Sequence, residues 1–410
     1  MNIAILGYGK EGKAIENYFK KPENNIKIFE NFTDEELKNF NLENFDLVFR
    51  SPSVRPLNKN WLSITKYFFD NCICPIIGVT GTKGKGTTCS IISNLLQSFG
   101  KNVHLVGNIG NPAIEALDKI KPEDVVVYEL SSFQLWDLEN SPKISVVLGI
   151  KPDHLNIHKD FDEYVNAKSN IVRFQTENDF CIFNSNNEVS KNISTLTKAK
   201  KQSYPISNRP KILDEILDEL FIPGQHNREN AEAALLAVSD FYDEEFETFL
   251  EKNSELIKNC FKNFRGLPHR LEFLRELNNV KYYDDNFSTN VASTTVAINS
   301  FPKNNLVVIV GGRDKTSYED LPELIKLLEK ENIKKVILIG ESGKEIFKLK
   351  NDEKFELAND LNDAVSKAKT SAEKLNDAIV LMSPAAASFD MFENVYDRGA
   401  KFSNLIKNLN

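Results

Sequence analysis

The chain has 410 residues, 41% of them apolar and 27% charged, a mix that fits a soluble globular protein of two or three domains. Its 59 Asp and Glu against 51 Lys and Arg give a net charge of −8, which argues against non-specific nucleic-acid binding, because that draws on excess positive charge. No run approaches the ~20 apolar residues of a membrane span. The amino terminus reads as a strand and not as a signal peptide. Five scattered Cys, odd in number, read as reduced cytosolic thiols.

In chain order, the short apolar run Ile3–Leu6 leads into Gly7-x-Gly9-x-x-Gly12 and then a helical spacing over Ala14–Phe19. Strand, Gly turn and helix are the context in which this motif brings backbone N–H groups to a phosphate. A second strand, Ile26–Phe29, precedes Glu30, the position of an acidic ribose partner. A third, Asp46–Phe49, ends at Ser51. The unit runs out near Asn71, too short for a full dinucleotide fold. That weakens a nicotinamide reading in favour of a plain Rossmann-like unit.

Next comes the strand Pro75–Thr80, the loop Gly81-Thr82-Lys83-Gly84-Lys85-Gly86-Thr87-Thr88, and the amphipathic helix Ser90–Phe99. A Gly-rich loop that opens a helix is a phosphate cradle, with Lys85 placed for the β- and γ-phosphates. The loop departs from the strict phosphate-loop pattern: its first Gly is one residue early, at Gly78, and Gly86 stands where Ser or Thr binds Mg²⁺. The hydroxyl must then come from Thr87 or Thr88, and Thr87 is favoured. The run Val125–Glu129 ends in a carboxylate at a strand terminus, which in an open α/β sheet faces the ligand crevice. Glu129 suits Mg²⁺, a cation that takes hard oxygens. A solvated strand-end Glu is the plainer alternative. After the strand Ile144–Ile150, His154 follows Asp153.

Gly78-x-Thr-Gly-Thr-x-Gly-Lys85 resembles the ATP loop of the Mur ligases, amide-bond ligases that build the peptide of bacterial cell-wall precursors. The folylpolyglutamate synthases are relatives that share the loop. Glu129-Leu-Ser-Ser-Phe-Gln-Leu135 resembles the metal strand of the glutamate-adding branch. The resemblance implies two Mg²⁺, with His154 as a second ligand. It also implies that Lys168, in Tyr164-x-x-Ala-Lys168, is carried as a carbamate. Carbamylation turns a cation into an anion with two ligand oxygens, and burial favours the neutral amine that reacts with CO₂. An exposed helix lysine is the plainer reading of Lys168.

Further matches are taken one at a time. Gly9, Lys10, Ser51 and Asn108 (in Gly107-Asn-Ile-Gly110) are implied to face a UDP-sugar substrate. Asn227 and Asn230, in Gly224-Gln-His-Asn-x-x-Asn230, resemble the adenine-side motif, although an N-cap cluster explains Asn227 as well. Arg270, in Gly266-Leu-Pro-His-Arg270, is implied at phosphate or ribose. Its plainer reading is a surface salt bridge.

From residue 271, strand–helix alternation describes a second Rossmann-like unit, with strands at Lys281–Tyr283, Leu306–Val310, Lys335–Ile339 and Ala378–Met382. Tyr283–Asn290 occupies the place of the family's D-S-K-A-T-N segment, which puts Asp285 on the ATP side and Phe287 where the family has lysine. Thr289, Lys315 and Ser388 are implied to bind the carboxylates of the incoming amino acid. The expected fold is α/β in three domains: a Rossmann-like unit (1–72), a central P-loop ATPase-like domain (73–269) and a C-terminal Rossmann-like domain (270–410). The implied function is an ATP- and Mg²⁺-dependent ligase joining glutamate, D more than L, to UDP-N-acetylmuramoyl-L-alanine. A cytoplasmic monomer is expected, with no nucleic acid or membrane insertion. A folylpolyglutamate synthase and a non-catalytic nucleotide-binding regulator are the alternatives.

Overall fold

The computed structural model describes residues 1–38, 43–108 and 110–410. They form three sheets and divide into two compact units. One comprises Met1–Glu219 and Arg228–Lys262, the other Leu220–Asn227 and Asn263–Asn410.

The first unit carries two sheets. β1 (Asn2–Leu6), β2 (Asn25–Phe29) and β3 (Leu47–Arg50) pair in parallel in the order β2-β1-β3. The helix Ile64–Asn71 follows, capped by the Ser63 hydroxyl, which accepts from the Lys66 N–H. The second sheet holds β4 (Ile76–Thr80), β5 (Val103–Gly107), β6 (Val125–Glu129), β7 (Ile144–Val147), β8 (Phe180–Asn184) and β9 (Lys200–Tyr204). Its order is β5-β6-β4-β7-β8-β9, parallel throughout. β4, β6 and β7 are buried at every position. Unbroken apolar runs are what a parallel sheet covered on both faces requires, and they make these strands legible in the sequence. β9, Lys-Lys-Gln-Ser-Tyr, shows no such pattern because it is an edge strand, where charged residues are tolerated. The helix of the phosphate loop begins at Lys85, not Ser90, because Gly84 turns the chain directly into it.

The two sheets of this unit are tied together through side chains. Phe68 packs edge-on to Tyr128 at 5.5 Å, and Thr65 Oγ1 lies 3.1 Å from the Tyr128 hydroxyl. The fully buried Arg50 ion-pairs with Asp137, and Gln134 Nε2 donates to Glu11 Oε1 at 3.0 Å. A buried Arg is stable only with its fork paired in this way.

The second unit holds β10 (Glu272–Leu277), β11 (Val280–Asp284), β12 (Asn305–Gly311), β13 (Ile333–Ile339), β14 (Phe355–Leu357) and β15 (Ala378–Met382). Its order is β10-β11-β15-β12-β13-β14, parallel except for the β10–β11 hairpin. That hairpin turns on Asn278 and Asn279, both at positive φ (52° and 61°), the pair a two-residue hairpin favours. The strand reading began at Lys281 and missed β10, although the Asn-Asn pair is a hairpin signal.

Candidate active site

The phosphate loop starts where β4 ends. Gly84 adopts φ 87° as the N-cap of the helix Lys85–Ser98, and a Cβ there would lie 2.6 Å from Asn230 Oδ1. Only glycine fits both constraints. Lys85 Nζ folds back to the carbonyls of Gly81 (3.1 Å) and Thr82 (3.2 Å). Thr82 is fixed by three contacts: its N–H to the Gly149 carbonyl, its Oγ1 to Lys151, and its Oγ1 within 3.1 Å of the Tyr164 hydroxyl. Lys83 is exposed, Gly86 and Thr87 are half-buried and Thr88 is buried. The Thr88 Oγ1 has no hydrogen-bond partner among the described residues.

Lys168 lies at the foot of this loop. The helix Phe161–Arg173 is capped by Asp160 and brings Tyr164 and Lys168 onto one face, four residues apart. Lys168 is 1% exposed; its Nζ donates to the Gly81 carbonyl (3.0 Å) and the Thr80 Oγ1 (3.3 Å) and lies 4.7 Å from the centre of the Tyr164 ring. Burial pushes its pKa well below the ordinary lysine value, and the Lys85 charge pushes it further down; Asp153 and Glu129 oppose this. Glu129 ends β6, buried, beside the end of β4. The loop, Lys85, Glu129 and Lys168 thus gather at the C-terminal ends of β4 and β6, where a nucleotide phosphate can meet backbone N–H groups, a cation and a desolvated amine.

The Mur ligase middle-domain model matches residues 79–238, and the Mur ligase glutamate ligase domain model matches residues 269–385. A UDP-N-acetylmuramoylalanine--D-glutamate ligase from Clostridium tetani is 34% identical over 94% of this chain and 86% of its own length. The Clostridium perfringens ligase of the same name is 33% identical over 100% and 97%. The chain belongs to the Mur ligase family. Solved structures share the fold at lower identity. The MurC ligase from Thermotoga maritima has a TM-score of 0.62 at 18% identity, covering 99% of both chains. The MurF ligase from the same organism, in complex with ADP, has a TM-score of 0.58 at 17% identity, covering 92% of both.

Other positions implied by the Mur ligase resemblance scatter more widely. His154 stands on an exposed turn seven residues beyond β7, in left-handed backbone (φ 55°), with Nε2 3.9 Å from Asp153 Oδ2 and its ring 5.2 Å from Phe133. Near the first sheet, Gly9 is the N-cap of the helix Lys10–Phe19, and Lys10 Nζ donates to the Gly110 carbonyl at 3.2 Å, beside the exposed Asn108. Ser51 is buried next to Gly7, its Oγ 2.9 Å from Ser53 Oγ. Asn230 is buried against Gly84, within the helix Gln225–Phe241. Asn227 lies inside the first turn of that helix, two residues past its start and not at the N-cap position, and its Nδ2 donates to the Pro223 carbonyl at 2.6 Å.

In the second unit, Lys315 Nζ donates to Thr289 Oγ1 at 3.3 Å, and Ser388 is buried one residue beyond the Arg313–Ala387 bridge. Arg270 is exposed and, with no ion pair among the described residues, makes a cation–π contact 4.9 Å from the Phe287 ring centre, which also meets Tyr396 edge-on at 5.2 Å. Asp285 is buried. Ser383 Oγ donates to it at 2.8 Å, and burial raises its pKa to about 7.

Tyr164, named in the sequence only as part of the Lys168 motif, contacts both Thr82 and Lys168. Two supporting groups are not marked by the sequence. His158 is buried between Phe133 and Trp136, with Nε2 2.9 Å from Ser132 Oγ. Arg398 is fully buried and donates to Asn286 Oδ1 (2.7 Å) and to the carbonyls of Ala386 and Ala387, which shapes the loop leading to Ser388. Nothing in its local sequence marks it, because its partners are more than ten residues away in the chain.

Proposed function

We propose that this chain is an ATP-dependent acid–amino-acid ligase that joins D-glutamate to UDP-N-acetylmuramoyl-L-alanine in peptidoglycan precursor synthesis. The observation that carries this reading is the buried Lys168 amine under the phosphate loop, in a chain that shares about a third of its residues with ligases of that name. We assign the domains as 1–72 for the UDP-substrate, 73–269 for ATP and 270–410 for the amino acid, in a cytoplasmic monomer.

In this reading the alanyl carboxylate attacks the γ-phosphate of ATP, and ADP leaves. The glutamate amine then attacks the acyl phosphate, and inorganic phosphate leaves as the amide forms. Lys85 neutralises charge on the transferred phosphoryl group. The N–H groups at the start of its helix hold the phosphates. Thr87 or Thr88, Glu129, His154 and Lys168 as its carbamate are the groups that would hold two Mg²⁺. The buried Thr88 hydroxyl, without a hydrogen-bond partner among the described residues, fits such a role. Mg²⁺ bound there supplies positive charge to the phosphates. The desolvated Lys168 amine is neutral more readily than an exposed lysine, and the neutral amine is the form that attacks CO₂. Asn227, Asn230, Arg270 and Asp285 serve the nucleotide, and Gly9, Lys10, Ser51 and Asn108 the UDP moiety. Thr289, Lys315 and Ser388 supply one cation and two hydroxyls for the two carboxylates of glutamate.

The test is phosphate release from ATP with UDP-N-acetylmuramoyl-L-alanine and each glutamate enantiomer. Release should require both substrates, with kcat/KM for D-glutamate well above that for L-glutamate. A site built on placed polar contacts can reject a misplaced analogue by ~10⁴. Preference for L-glutamate, or turnover only with a pterin acceptor, overturns this reading.

A further inference from the structure

The five cysteines differ sharply in environment. Cys89 and Cys181 are buried in the core, and burial raises their thiols, that of Cys181 to about 12. Cys260 is half-buried and also raised by burial. None of the three has the lowered pKa that makes a cysteine reactive. Cys72 and Cys74 form a different kind of site. They lie on the link between the helix Ile64–Asn71 and β4, with Sγ atoms 3.8 Å apart. Cys72 is extended (φ −76°, ψ 125°). In extended chain, residues i and i+2 point to the same side, which accounts for the approach.

Both ends of the link are pinned. The Cys72 N–H donates to the Phe68 carbonyl at 2.8 Å, and the Pro75 carbonyl accepts from the Val126 N–H at 3.0 Å. Between them Ile73 is 62% exposed, and Cys74 lines a surface depression of about 620 Å³ with Phe69, Pro75 and Glu139. The sulfur pair is therefore held together, with Cys74 at the wall of the depression and Cys72 half-buried beside it. The neighbouring thiol stabilises the Cys72 thiolate and lowers its pKa, while Cys74 is raised.

We propose that Cys72 and Cys74 are a redox-active dithiol that closes into an intrachain disulfide by exchange with a small-molecule disulfide. The Cys72 thiolate attacks one sulfur of the small disulfide, forming a mixed disulfide and releasing one thiolate. Cys74 loses its proton and attacks Cys72 Sγ, which releases the second small thiol. Two electrons and two protons pass to the small disulfide, which leaves as two thiols. The sulfurs must close from 3.8 Å to about 2.05 Å.

The experiment is intact-mass and peptide-mass analysis of the full chain after incubation with oxidised glutathione. Wild type should lose the mass of two hydrogens, with the crosslink in the peptide spanning residues 72–74, and should recover it with dithiothreitol. Cys74→Ser should instead stop at a glutathione adduct on Cys72, and Cys72→Ser should react at least tenfold more slowly. Wild type that stays reduced, accumulates a glutathione adduct, or is modified first at Cys260 overturns the proposal. No outcome depends on the ligase reading, and wild type alone decides if a variant fails to fold.

Discussion

The two large sheets each carry glycines at the end of a central strand, yet the glycines do different work. At the end of β4, the space a Cβ on Gly84 would enter is held by a side chain, Asn230, and the loop opens onto a helix N-terminus. At the end of β12, a Cβ on Gly312 would lie 2.1 Å from the Ala387 carbonyl, and Arg313 and Ala387 exchange backbone hydrogen bonds at 2.9 and 3.0 Å. The first turn leads straight into the helix Lys85–Ser98; the second brings two chain segments into backbone contact and sets Lys315 and Ser388 beyond them. A Gly-rich turn after a strand is a phosphate site only where backbone does not already fill the space opposite.

This contrast can be broken or sharpened by mutation. The largest effect is expected at Lys168: Lys168→Ala should lower turnover by about 10³-fold or more, with partial rescue by short carboxylic acids that restore an anion. Full turnover by that variant would remove Lys168 from the site. Lys85→Ala should cost about 10²–10³ in kcat with stability unchanged; a near-normal kcat would sink the phosphate-loop assignment.

The two glycines should then separate. Gly84→Ala should cost about 1–2 kcal/mol of stability for its left-handed backbone but about 10²-fold in turnover through a misplaced loop. Gly312→Ala should cost about 3 kcal/mol, read as a lower denaturant midpoint, because backbone must move. Equal stability losses in the two variants would refute the distinction.

The smallest effect concerns Asp285. Burial raises its pKa from 3.8 to about 7, so between those values the native state holds the proton more tightly than the unfolded chain. Its contribution to stability is therefore present at low pH and is lost as pH rises towards about 7. Asp285→Asn should flatten that slope in denaturant midpoints. An unchanged slope would show that other groups set it.

The strands β1, β4, β6, β7, β12, β13 and β15 were legible in the sequence because parallel strands buried on both faces must be continuous apolar runs. The phosphate loop was legible for a similar reason: its chemistry needs glycine, lysine and hydroxyls in one contiguous stretch. Edge strand β9 was not, since one exposed side releases the apolar constraint. What only the tertiary structure decided are relations between distant segments. Lys168 and His154 were both expected at the metal site, yet the fold buries the first under the loop and leaves the second exposed on a turn. Arg398 is set by carbonyls that its own sequence neighbourhood does not contain. Local sequence fixes backbone periodicity and turn chemistry, whereas desolvation depends on which remote segments close over a side chain.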